Sequence, residues 1–145
     1  MENLNENFPE LDYIVVGRSN WIAMTDDLGD QFERFAVLVP SRVGLDENSQ
    51  EWIDFSHNYE AMYEGTPVRS IPNYAAAGYD VAGYFLPVIA RNGGDFNNTV
   101  KLADQQLLQF DMDLQRMNAW GGLLNMTGYL LKFPSSGVVE KVLIQ

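Results

Sequence analysis

Two short apolar runs near the start constrain this chain most. Tyr13-Ile14-Val15-Val16 is β-branched and stops at Gly17, and Phe35-Ala36-Val37-Leu38-Val39 stops at Pro40. Both have the length and continuous apolar character of buried strands. The connection between them is helix-length, far longer than a hairpin turn needs, so the pair predicts a parallel β-α-β unit. Ser19 and Asn20 offer caps for a turn or helix leading to Phe32, which Gly29 weakens.

Two longer helices are expected next. Over 48–64, Trp52, Phe55, Tyr59 and Met62 recur at three- and four-residue spacing and form one apolar stripe. Asn48 is the expected cap with Glu51 completing a capping box, and Gly65 and Pro67 end the helix. Over 73–92, Asn73 is the expected cap, and Tyr74, Ala77, Val81, Tyr84, Phe85 and Val88 make the apolar face. Arg91 suits the negative end of that helix, and Gly93-Gly94 stops it. Pro87 removes a donor and crowds the carbonyl at Gly83, so a kink is expected near 83–87.

The periodicity then changes. Leu108, Phe110, Met112 and Leu114 alternate with Gln109, Asp111, Asp113 and Gln115, as in a half-buried strand. A turn at 118–122, a strand from Leu123 to Phe133, a turn at 134–137 and a strand from Val138 to Ile144 complete an antiparallel meander. The expected class is therefore α/β, with a short parallel β-α-β start, two long helices and a C-terminal antiparallel β meander. The length of 145 residues fits one domain, over 12–145, behind a polar leader at 1–11.

The net charge of −11 is unevenly placed. Residues 1–60 carry 13 acids against three bases, whereas residues 61–145 carry seven against six. The first segment repels phosphate backbones and anionic membranes, so neither nucleic acid nor an anionic bilayer is an expected partner. It reads as a solvated face or as a surface that docks something basic. With no cysteine, disulfides, thiolate metal sites and cysteine nucleophiles are excluded. No apolar run reaches the roughly 20 residues of a membrane span. The acidic start, Met1 to Asn7, lacks the pattern of a secretory signal, so the chain is expected either to be cytosolic or to follow an export signal upstream.

Candidate chemistry is sparse. The single histidine, His57, lies three residues after Asp54 on a helix, but no G-x-S-x-G elbow accompanies them, and the pair reads as a surface feature. Asp111-Met112-Asp113 has the D-x-D spacing by which glycosyltransferases hold a divalent metal and a sugar nucleotide, but it also fits the solvent side of an alternating strand. Gly17-Arg18-Ser19-Asn20-Trp21 follows a strand, where α/β sheets place ligand loops, without the glycines of a dinucleotide or phosphate loop. The triplets Asn97-Asn98-Thr99 and Asn125-Met126-Thr127 match a glycosylation acceptor, a pattern common by chance. At Gly78-Tyr79-Asp80, small neighbours (Ala75, Ala76, Ala82, Gly83) let a backbone approach, and Tyr79 offers a rigid ring with a polar tip. An enzyme is not expected, nor is a cofactor.

Several stretches, in order, resemble the type I periplasmic binding protein fold of the leucine and branched-chain amino-acid receptors. They are Ile14 to Trp21, Phe35 to Val39 with Pro40-Ser41-Arg42, and Phe55-x-x-x-Tyr59-x-x-x-Tyr63-Glu64-Gly65-Thr66-Pro67. Ala77-Gly78-Tyr79-Asp80, Ala90-Arg91-Asn92-Gly93-Gly94, Phe110 and Gly121 to Asn125 follow. The final strands are similar to those of bacterial envelope relatives, some of which carry lysin-motif repeats upstream. The resemblance spans residues 12–145 and implies the C-terminal part of a two-lobed receptor, in the periplasm or cell envelope of a bacterium. It implies a non-catalytic receptor or sensor that binds a small polar ligand, such as an amino acid or cell-wall fragment, in a cleft completed by a missing lobe or a second copy. Carried over, it points to Tyr79 with Asp80 behind it, and to Arg18, Ser19 and Trp21 at the strand end. The alternatives are a metal-dependent glycosyltransferase fragment using Asp111 and Asp113, and a structural or interaction module that forms a homodimer.

Overall fold

The structure, a computed structural model, describes residues 6–7, 14–98, 106–134 and 139–144. Most of the expected leader, Tyr13 of the first strand, Thr99 of the first triplet, Ser135 to Gly137 of the last turn and Val138 of the last strand lie outside the described residues. The class is α/β, with helices and strands mixed and an antiparallel meander towards the C-terminus. The chain divides into two compact units: residues 1–41 with 129–144, and residues 42–128.

In the first unit the expected parallel pairing is reduced to one bridge, and the run expected as a buried strand is exposed at Ile14 and Val16. Val16 makes a single parallel bridge to Leu38, with Gly17 N–H donating to the Leu38 carbonyl (2.7 Å) and Leu38 N–H to the Val15 carbonyl (2.8 Å). Between them run a 3-10 segment, Ser19–Met24, and helix α1, Thr25–Arg34. Strand β1 is Leu38–Ser41, so the strand expected at 35–39 starts later. Phe35, Ala36 and Val37 instead donate to the carbonyls of Gln31, Glu33 and Phe32, which closes the helix before the strand begins. Ala36 takes a left-handed φ of 45° to make that exit. Pro40 lies inside β1, not beyond it, which an outer strand of the sheet tolerates.

β1 pairs antiparallel with β4 (Gly128–Lys132), from Leu38 opposite Lys132 to Ser41 opposite Tyr129. β5 (Glu140–Ile144) adds on the far side, in the order β1-β4-β5. Phe32, Phe35, Val37, Val39 and Phe133 form the buried core, and Val15, Trp21, Ile22 and Leu131 close over it. Phe32 meets Phe133 edge-on at 5.3 Å and Trp21 at 5.8 Å.

In the second unit, α2 is Gln50–Tyr63 and α3 is Tyr74–Asn92. Ser49, not Asn48, caps α2, because its Oγ accepts from Trp52 N–H while Asn48 N–H turns back to the Asp46 carboxylate. Glu64 takes the left-handed position at its end, just before the expected Gly65. Asn73 caps α3 as expected, and Gly93 stops it with φ of 52°. The helix runs through Pro87. Its buried line is Ala76, Asp80, Tyr84 and Val88, four residues apart, while Tyr74 and Val81, expected on the apolar face, are exposed.

Residues 108–115 form a strand only at β2, Leu114–Arg116, which pairs with β3, Leu123–Asn125. The single strand expected from Leu123 to Phe133 is two, because β3 and β4 join different sheets. Between them Thr127 is buried, its hydroxyl donating to the Asp111 carbonyl at 2.5 Å.

Gly17 has a defined packing role. A Cβ there would lie 2.5 Å from Trp21 Cε3 and 3.0 Å from Cδ2. Gly17→Ala must push Trp21 off the core of the first unit, and a cost of about 1–3 kcal/mol is expected. Urea unfolding followed by tryptophan fluorescence checks this; an unchanged midpoint would show that Trp21 yields freely.

Candidate functional site

Of the residues singled out from the sequence, Asp80 is the most deeply placed. It is 0% exposed, and three successive backbone N–H groups converge on its carboxylate. Leu108 N–H donates to Oδ1 at 2.6 Å, and Gln109 and Phe110 N–H donate to Oδ2 at 2.8 and 3.0 Å. Burial pushes the Asp80 carboxyl above the usual aspartate range, and the three N–H groups pull it partly back.

Gln109, also buried, extends the arrangement. Its side-chain amide pairs with both backbone groups of one residue, accepting from Asn73 N–H (3.1 Å) and donating to the Asn73 carbonyl (2.7 Å). Its own carbonyl accepts from Gly44 N–H at 2.8 Å. The Asn73 side chain caps Ala76 N–H and donates to the Val68 carbonyl. Each of these contacts joins the Asp80 carboxylate or a neutral side-chain amide to backbone, or backbone to backbone. Its chemistry is that of positioning: it ties residues 108–110, 44 and 68 to the first two turns of α3.

Tyr79 points elsewhere. It is 52% exposed, and its ring meets Phe55 of α2 edge-on at 5.1 Å. Phe55 sits within a row along α2: Trp52 to Phe55 at 5.5 Å, Phe55 to Tyr59 at 5.9 Å and Tyr59 to Tyr63 at 4.6 Å. The α2 stripe that reads in the sequence as core is incompletely covered: Trp52, Phe55 and Tyr59 are partly buried, and no residue of α2 is fully buried. Tyr63 and Met62 at its end are exposed by 63% and 72%. The structure thus brings Tyr79 to a ring surface that periodicity alone could not distinguish from core. Small residues at Gly78 and Gly83 meet nothing within 4 Å of a Cβ position, so space beside Tyr79 is open.

The strand-end loop lies in the first unit. Arg18 is exposed, and its carbonyl accepts from Trp21 N–H at 2.9 Å. Ser19 opens the 3-10 segment and is exposed, whereas Trp21 is half-buried against Phe32. Arg18 and Ser19 therefore present polar groups to solvent, and Trp21 serves packing.

The other candidates are engaged locally. Asp54 accepts from Gln50 (2.7 Å), and His57 is exposed. Asp113 accepts from Gln115 (2.6 Å), while the Asn125 side chain accepts from Asp113 N–H and donates to the Asp111 carbonyl. The amide nitrogen that glycosylation would modify in Asn125-Met126-Thr127 is thus already bonded. Among the described residues no group of three or more His, Asp or Glu side chains is placed to hold a metal ion, and no helix is long and apolar enough to cross a membrane. Comparison with protein-family models, with curated proteins and with solved structures gives no match.

Asp80→Ala leaves two buried N–H groups and the part-buried Phe110 N–H without an acceptor, at about 1–3 kcal/mol for each buried one, so a large loss of stability is expected in urea titrations. The pH dependence has a definite sign. Because the folded protein holds this proton more tightly than the unfolded chain, the stability Asp80 adds is fully present below the ordinary value of 3.8. It is partly lost as pH rises through the raised folded value. The stability gap between the natural chain and Asp80→Ala should therefore narrow as pH rises from acid towards neutral. A gap that widens instead would mean that the N–H groups outweigh burial.

Proposed function

We propose that this chain is a non-catalytic binding module of a bacterial envelope protein, and that Tyr79 with the rings of α2 forms its ligand-contact face. The observation that carries this reading is the division of labour at one dipeptide. Asp80 is fully occupied in fixing the helix to residues 108–110, while Tyr79 is half-exposed on an aromatic row. Rigid rings with hydroxyl tips offer apolar contact and hydrogen bonding at low entropic cost, which suits a small polar molecule with apolar faces. An amino acid or a cell-wall fragment has that character.

In this reading a second lobe or a second copy of the chain completes the cleft, and closure around the ligand is the mechanism. Arg18 and Ser19, exposed at the strand end in the first unit, are polar groups for recognition on that unit by itself. Asp111 and Asp113, the basis of the glycosyltransferase alternative, have less in support: the turn around them is held by Asn125 and Thr127, and Gln115 takes the Asp113 carboxylate.

A thermal-shift screen of the chain against amino acids and soluble cell-wall fragments tests the proposal. A ligand at a hundred times its Kd should stabilise the fold by about 2.7 kcal/mol. Tyr79→Ala should abolish that shift while changing the unliganded midpoint little, since the side chain is half-exposed. No stabilisation of the natural chain, or equal stabilisation of the variant, would overturn the assignment of this face.

A further inference from the structure

The charge around the aromatic row narrows what it can hold. We infer that the α2 face takes an extended peptide carrying lysine-type amines, which rests on the contact-face reading above. Helix α2 and its C-terminal cap contain Glu51, Asp54, Glu60 and Glu64 and no lysine or arginine. All four acids are exposed. Helical geometry places Glu51 on one flank of the Trp52-Phe55-Tyr59-Tyr63 stripe and Glu60 on the other. Ring faces attract cations through their quadrupoles, and flanking carboxylates add Coulombic attraction. The same surroundings repel a ligand carboxylate, so a free acidic amino acid fits poorly.

The row's length points to a chain and not to a single small cation. From Trp52 to Tyr63 the helix rises about 16 Å. That matches roughly five residues of extended peptide. Successive rings lie 4.6–5.9 Å apart, so the row is unbroken along that path, partly covered from Trp52 to Tyr59 and open at Tyr63.

Titration of the full chain with N-acetylated pentalysine amide, followed through tyrosine ring resonances, tests this. Its Nε-acetylated counterpart and a neutral N-acetylglucosamine oligomer serve as comparison ligands. The inference predicts that pentalysine shifts the Tyr59 and Tyr63 ring signals and that the acetylated peptide does not. Tyr59→Leu should weaken binding about 2- to 5-fold, the worth of one exposed cation–ring contact. Glu60→Gln should weaken it more than Asp27→Asn, which removes an exposed acid on α1. Pentalysine binding that leaves the ring signals unmoved, or that Asp27→Asn weakens as much as Glu60→Gln, would overturn the inference in favour of diffuse charge attraction. Ring shifts with the neutral oligomer or the acetylated peptide, equal to those with pentalysine, would overturn the requirement for charge while leaving the contact face standing. Ring signals that respond to none of the three would remove the contact face itself.

Discussion

A buried carboxylate that accepts from three consecutive backbone N–H groups governs the larger unit of this protein. Residues 108–110 lie in neither helix nor strand, so their amides need acceptors, and Asp80 supplies both oxygens. Hydrogen bonds to a charged group are worth roughly 1.5–3 kcal/mol each, set against the cost of taking a carboxylate out of water. The geometry also fixes register. With Gln109 N–H held by Asp80, the Gln109 side chain reaches the Asn73 peptide at the start of α3, and its carbonyl reaches Gly44. One side chain in the second turn of a helix thereby orders three distant stretches of chain.

A second polar clasp continues from the first. Downstream of residue 110, Asn125 and Thr127 bind the backbone at Asp111 and Asp113, which closes the β2–β3 hairpin. Polar side chains here replace the ladder that a longer strand would have made. Holding α3 so firmly on its inner line has a functional consequence. Adjacent residues on a helix point about 100° apart, so fixing Asp80 inward directs Tyr79 outward to the α2 rings.

The sequence makes much of the framework legible and the clasp almost not at all. The extents of α2 and α3 to within about two residues, the Asn73 cap and the Gly93 stop follow from local rules, because caps and stops satisfy backbone groups within a turn or two; the α2 cap itself falls at Ser49 and not at Asn48. The parallel crossover from Val15-Val16 to Leu38 also follows, since few connections of that length are allowed. The alternation at 108–115 misleads because it records side-chain polarity and is silent about where amides find acceptors. The apolar face read on α3 misses Asp80 for the same reason: a carboxylate counts as polar until its three donors, far away in sequence, are known. The stripe on α2 is visible as periodicity, but whether a stripe is core or contact surface depends on what covers it. Tyr79 could be singled out as a rigid ring with a polar tip, but the close backbone approach expected from its small neighbours is not made, since Gly78 and Gly83 face open space.

Amide hydrogen exchange at Leu108, Gln109 and Phe110 tests the central claim most directly. Three neighbouring amides outside any helix or ladder should be protected to the level of the buried turns of α3 around Ala76 and Tyr84. They should exchange together when that helix opens. Exchange of these three at the rate of exposed loop amides, with α3 still protected, would show that Asp80 does not hold them and would contradict the account.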